Sequence, residues 1–176
     1  ECGGNGRAGY YPPTPGNQWT YVGVGCPMWH GVLLKDILEK AGIKKSASFI
    51  AYYGHDIHPS GNNKKEVISR GFPLKKIYDN STMIAIGMNG KALSPYHGYP
   101  ARIICPGYPG STSGKWLKRI WVRNKIHDGE KMLGAAYRVP LIAVAPGSTP
   151  AKNAKWKIIE KMPVKSIITY PKSKTK

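Results

Sequence analysis

The chain has 176 residues, 41% of them hydrophobic, enough for one packed domain and too many for a disordered chain. No apolar run approaches the ~18 residues of a membrane span. With 27 Lys+Arg against 9 Asp+Glu the formal charge is +18, so the surface suits anionic partners: nucleic acid, acidic lipid, an acidic protein or a small anion.

Residues 3–18 are rich in Gly, Pro, Tyr and Asn and predict a loop. From Gly31 to Ala41, Val32, Leu33, Leu34, Ile37 and Leu38 fall on helical spacing, with Gly42 as the stop. Ser48–Tyr53 predicts a strand by its aromatic and β-branched content, and Pro73–Tyr78 a short helix opened by proline. Thr82–Met88, then Asn89-Gly90, then Lys91–Leu93 predicts a hairpin, because Asn-Gly supplies the positive φ of a two-residue turn. Ala101–Cys105 and Trp116–Arg123 are two further strands joined by the loop PGYPGSTSGK. Residues 145–155 read as a linker, followed by strands at Trp156–Ile159 and Val164–Tyr170.

Several short stretches carry chemistry. Cys2 stands before two glycines, an asparagine, a third glycine and Arg7, which suits a thiolate on a tight turn better than a core cysteine. Cys2, Cys26 and Cys105 form no CxxC; a disulfide between two of them and a leftover thiol acting as ligand or nucleophile both stay open. The loop 107–115 fails the GxxxxGK[ST] pattern, but a Gly/Ser loop ending in lysine can cradle another phosphate, or be a plain turn. His97 and Arg102 flank a Gly/Pro turn, and an arginine fork suits phosphate or carboxylate. Asp56 lies in the polar loop GHDIHP, whose spacing matches no zinc motif. Tyr137 in AAYRVP is either a core tyrosine or one whose O–H points into a site. The stretch KWLKRIWVRNK is first a half-buried strand with a basic face, and second a nucleic-acid platform.

The order of these pieces is more specific than any one of them. Cys-x-Gly-Asn-x-Arg, WHGVLLKDILEKAG, the Asp56 loop, MNGKAL, HGYPARIICPG, a Gly/Ser loop ending KWLKRI, AYRVP and PVKSIITYP together resemble the molybdenum domain of the sulfite oxidase family, most of all its bacterial sulfite dehydrogenases, over residues 1–145. The resemblance implies an α+β, mixed-sheet molybdopterin-binding fold, incomplete at the N-terminus, with residues 146–176 as linker and start of a C-terminal β-sandwich (immunoglobulin-like) dimerisation domain. It implies molybdenum and molybdopterin as cofactors. Carried over residue by residue, Cys2 matches the metal-binding cysteine and Arg7 the arginine that holds the anionic substrate. Asp56, His97, Arg102, Ser113, Gly114 and Lys115 match positions that contact the pterin and its phosphate, and Tyr137 matches the active-site tyrosine beside the metal. The implied reaction is oxidation of sulfite to sulfate, with electrons leaving singly to a c-type cytochrome or haem subunit. The family also implies an oligomer, a periplasmic location, no membrane span and no nucleic acid. A sulfane dehydrogenase-like subunit or another sulfite oxidase-family molybdoenzyme, such as a nitrate reductase or methionine-sulfoxide reductase, is the alternative within the family; a basic nucleic-acid-binding module is the alternative outside it.

Overall fold

A computed structural model describes residues 1–65, 67–129, 132, 137–145, 147–166 and 170. The first 28 residues are loop, apart from a 3-10 turn at Arg7–Gly9. Strand β1 (Trp29–Leu33) runs directly into helix α1 (Leu34–Ala41). Strand β2 (Phe49–Gly54) follows, then β3 (Gly71–Pro73), a 3-10 turn at Leu74–Asp79, β4 (Met83–Met88) and β5 (Lys91–Ala92). After a 3-10 turn at Pro95–His97 come β6 (Arg102–Ile104), another at Gly110–Thr112, β7 (Leu117–Arg123), β8 (Arg138–Pro140) and β9 (Trp156–Ile158).

All the pairings are antiparallel. In the first sheet β4 is central, with β1 on one side and β5 and β6 on the other. The second sheet has the order β3-β2-β7, and β8 pairs with β9. Two backbone bonds stitch the first sheet's β6 region to the start of β7: Ile103 N–H to Gly114 O at 2.9 Å and Leu117 N–H to Ala101 O at 2.8 Å. The Asn-Gly hairpin has the expected register, with Met88 opposite Lys91 and Asn89 and Gly90 both at positive φ.

The expected helix over residues 31–41 is corrected at its start. Gly31–Leu33 belong to β1, and the helix begins at Leu34. Pairing with β4 overrides the helical spacing: Leu33 lies opposite Met83, and the Leu34 N–H donates to Thr82 O at 2.9 Å. Val32, which a helix would have turned inward, is exposed. Of the expected strand over 164–170, residues 164–166 carry no regular structure and 167–169 lie outside the described residues.

The core gathers Leu34 and Leu38 of α1, Ile50 and Tyr52 of β2, Phe72 of β3, and Ile77, Ile103, Cys105 and Tyr108. Beside it lies a buried polar cluster. The Arg123 guanidinium donates to His127 Nδ1 at 2.9 Å, so the ring proton sits on Nε2 and is donated to Ser69 Oγ at 2.6 Å; Ser69 in turn donates to Tyr52 O at 3.1 Å. A second ring proton has no acceptor there. Burial first, and Arg123 second, push the His127 pKa down to about 4 from an ordinary 6.5.

This fixes a pH dependence. Below about 6.5 the unfolded chain takes up a proton at His127 that the folded chain refuses. The contribution to stability is whole above that pH and declines down to about 4, by at most about 1.4 kcal/mol per pH unit. Urea melts between pH 7.5 and 4.5 should show this slope, and His127→Gln should remove its share of it.

Candidate cofactor site

The N-terminal segment folds back on residues 17–23. Cys2 N–H donates to Gly23 O at 2.8 Å, Ala8 N–H to Trp19 O at 3.0 Å, and Gly23 N–H to Asn5 Oδ1 at 2.9 Å. A Cβ on Gly23 would stand 3.3 Å from the Cys2 Cβ, a tight contact, so glycine eases the close approach of the backbone to this cysteine. The whole segment docks on the Gly/Ser loop through one bond, Gly110 N–H to Glu1 O at 2.6 Å. Lys165 reinforces it by pairing with the Glu1 carboxylate at 2.9 Å and donating to Asn5 O at 3.1 Å. The Lys165 and Asn5 hydrogen bonds hold the Glu1 carboxyl below its usual range.

All three thiols are free, which closes the disulfide alternative. They differ in surroundings: Cys2 and Cys26 are exposed, whereas Cys105 is buried and desolvation pushes its pKa up to about 12. Cys105 is therefore an inert core thiol at neutral pH.

Arg102, at the start of β6, organises the opposite wall. One end of its fork donates to His97 O at 2.9 Å and the other to Ser113 O at 2.9 Å, while its plane stacks 4.8 Å from the Trp29 ring centre. No carboxylate pairs with it among the described residues. Its Nε is buried without a partner, and desolvation lowers its pKa. Ser113 Oγ accepts the Cys105 N–H at 3.0 Å, and His97 Nδ1 bonds Ser94 Oγ at 2.8 Å.

Two cavities share the wall made by Arg102, Gly110 and Ser113. The larger, about 830 Å³, is lined by Glu1, Cys26, Trp29, His97, Arg102 and Ser113 among others. The smaller, about 270 Å³, is lined by Tyr52, Asp56, Arg102, Ser111, Gly114 and Lys115 among others. Lys115 donates to Tyr96 O at 3.0 Å and rides 4.1 Å over the Trp116 ring. Trp116 is itself at φ 50, anchored by its indole N–H to Pro95 O at 2.8 Å. The Tyr52 hydroxyl donates to Ser111 O, and a Cβ on Gly114 would run into the Tyr52 ring.

Thus Asp56, His97, Arg102, Ser113, Gly114 and Lys115 come together from four separate segments, with the Cys2 segment fastened to the Gly/Ser loop through Glu1. Cys2, Arg7 and Tyr137 line neither cavity. Arg7 is confined between Gly4 and Gly16 and donates to Asn17 O at 3.1 Å. Tyr137 stands over the guanidinium of Arg70. Sequence reasoning missed Ser111, Tyr52 and Trp29, and left Cys26 as one of three thiols of open role. Ser111 lay within the loop already singled out, but the stacking of Trp29 on Arg102 left no local sign. Among the described residues no cluster of three metal-ligating side chains occurs, and no helix is long and apolar enough to cross a membrane.

The donor set fits an anionic, hydrogen-bonding group. Two buried polar atoms without partners, Arg102 Nε and Ser111 Oγ, belong to residues lining the smaller cavity, and buried polar atoms ordinarily have partners. The free, exposed Cys2 thiol, on the segment bonded to Gly110 through Glu1, is a soft ligand for a transition metal.

Gly114→Ala in the full-length protein should lower molybdenum content severalfold by metal analysis, because the new methyl displaces Tyr52 and the loop it holds. Gly9→Ala, where a Cβ meets open space, should leave it unchanged.

Comparison with known proteins places this geometry. Residues 1–131 match the family model described as oxidoreductase molybdopterin binding domain. The nitrate reductase [NAD(P)H] of Betula pendula is 32% identical over 183 residues, covering 97% of this chain and 20% of that protein. The nitrate reductase [NADH] of Petunia hybrida is 37% identical over 130 residues, covering 69% and 14%. The crystal structure of the sulfane dehydrogenase SoxCD from Paracoccus pantotrophus aligns with a TM-score of 0.52 and 32% identity over 66% of this chain and 28% of that one. The chain spans a fifth or less of the length of these nitrate reductases. With its α+β architecture and its cofactor, molybdopterin carrying molybdenum, the chain belongs to the sulfite oxidase-type molybdopterin-binding oxidoreductase family.

Proposed function

We propose that the full-length protein oxidises sulfite to sulfate and hands electrons singly to a c-type cytochrome or haem subunit. The observation that carries this reading is the Gly110 N–H to Glu1 O bond, which fastens the segment bearing the free Cys2 thiol to the Gly/Ser loop of a pocket whose Arg102 has no carboxylate partner among the described residues. In this reading Cys2 holds the metal. His97, Arg102, Ser113, Gly114 and Lys115 hold the pterin and its phosphate, and Asp56 accepts a pterin N–H. When bound, the molybdenum centre supplies two-electron oxygen-atom chemistry, so that sulfite and water become sulfate, two protons and two electrons.

The chain's own residues supply electrostatics and orientation. Arg7, its guanidinium confined by two glycines, draws in the substrate anion. Tyr137 directs its hydroxyl toward the reacting atoms. The +18 charge raises the local concentration of anions and suits an acidic electron acceptor. The same reading divides the chain into a catalytic part, 1–145, and the start of a dimerisation domain, 146–176, within a periplasmic oligomer. Nucleic acid has no part in it.

Two further readings have specific support. SoxCD's likeness favours a sulfane dehydrogenase-like subunit, and the plant relatives favour nitrate reduction. One set of assays on molybdenum-quantified full-length protein separates them. Reduction of cytochrome c on adding sulfite is expected. Oxidation of a reduced viologen by nitrate, with no turnover of sulfite, would overturn the proposal.

Arg7→Ala should raise the KM for sulfite by about tenfold or more, as loss of a charged hydrogen bond to a substrate does. Tyr137→Phe should change KM far less. Steady-state kinetics at constant ionic strength checks the contrast, and equal KM effects would count against both roles.

A further inference from the structure

Arg70 is almost wholly buried, at 1% exposure, in a segment that carries no motif. A buried guanidinium is costly unless its hydrogens and charge are answered. Among the described residues no carboxylate pairs with it, and its Nε has no partner. Its remaining contacts are long ones, Nη1 to Met132 Sδ at 3.5 Å and Nη2 to Ile159 O at 3.4 Å. What faces its plane is the Tyr137 ring, with the guanidinium carbon 4.4 Å from the ring centre.

Tyr137 is unusual in its own right. Its φ is 53, a left-handed conformation that a tyrosine holds only where its surroundings over-determine it. Two contacts do so here. Ile159 N–H donates to Tyr137 O at 3.0 Å, and the same Ile159 accepts from Arg70 through its carbonyl. Arg70, Ile159 and Tyr137 therefore close a ring of three contacts. On its other side, the Arg70 carbonyl accepts the Tyr52 N–H at 3.1 Å, and Tyr52 holds Ser111 of the cofactor loop through its hydroxyl. One residue of β2 thus touches both the loop that lines the cofactor cavity and the arginine beneath Tyr137.

We infer that Arg70 is a positioning residue for Tyr137: its guanidinium fixes the plane of the ring, and its backbone ties that plane to the cofactor loop through Tyr52. The inference rests on the reading of Tyr137 as the active-site tyrosine. A flat, delocalised cation is suited to this, since it stacks on a ring face where an ammonium only points at it.

The test uses full-length holoenzyme with Arg70→Met, Arg70→Lys, Tyr137→Phe and the Arg70→Met/Tyr137→Phe double. Arg70→Met should lower kcat about 5- to 30-fold, the span from an exposed to a desolvated cation–π contact. Sulfite KM should stay within about twofold and molybdenum content should be unchanged. Arg70→Lys should recover part of the loss. Added to Tyr137→Phe, Arg70→Met should cost little more, as expected when one residue acts through the other. Independently of activity, hydrogen exchange at the Ile159 amide should quicken in Arg70→Met and stay slow in Tyr137→Phe, whose ring still stacks. Unchanged kcat or unchanged exchange in Arg70→Met, or independent multiplication of the two losses, overturns the inference alone. Full kcat in Tyr137→Phe overturns the active-site reading of the tyrosine and the inference with it. Should Arg70→Met not fold, Arg70→Lys carries the same comparison: a reduced kcat supports the inference and a wild-type kcat overturns it.

Discussion

The Arg102 guanidinium reaches two carbonyls that sequence keeps well apart, those of His97 and Ser113, and stacks on Trp29 from a third segment. That fork joins the turn after β5 to the Gly/Ser loop before β7. Two further bonds reinforce that junction, Lys115 to Tyr96 O and the Trp116 indole N–H to Pro95 O. An arginine serves because its donors diverge in one plane, which a single ammonium cannot reproduce. Its charge is left unanswered by any described carboxylate, so the residue that builds the pocket also gives the pocket its preference for anions.

The rest of the fold supports this fork. β6 is held against β4 by the pairs Met83–Ile104, Ile84–Ile103 and Ala85–Arg102, which set Arg102 at the sheet's margin while Ile103 enters the core. β2 brings Tyr52 beneath the loop, where its ring takes the space that only a glycine at position 114 leaves open. Burial raises the Tyr52 phenol pKa well above its ordinary value, so the phenol remains a protonated donor to Ser111 O. The hydrophobic core and the polar pocket are consequently not separate: the same tyrosine belongs to both.

Position in sequence misled where pairing partners outvoted periodicity. The apolar spacing of Gly31–Ala41 continues without a break, yet its first three residues are a strand, because β4 offers backbone partners there and the close approach at Gly31 admits no side chain. In β7 the alternation of Trp116–Arg123 is interrupted by an irregularity opposite Tyr53 and Gly54. Beyond it Arg119, Trp121 and Arg123 share one face: Arg119 stacks on Tyr53, while Arg123 stacks on Trp121 and is buried where His127 covers the end of the strand. The alternating pattern foretold the strand and its basic face, but not which arginine would be buried. Nor did composition distinguish Cys105, an inert core thiol, from Cys2, since that difference is one of solvation.

By itself the sequence determined β2, β4, β6, β7 and β9, the Asn-Gly hairpin, the excess of positive charge and, through the order of its short motifs, the family and its cofactor. These are local or serial properties, encoded by neighbours along the chain. Only the tertiary structure decided that Glu1 meets Gly110, that Arg102 bridges His97 and Ser113, that Tyr52 underlies Ser111, and that Arg70 lies beneath Tyr137. Each of these joins segments far apart in sequence, and its geometry depends on strand register and on which groups are shut off from water, neither of which is written in any one stretch of residues.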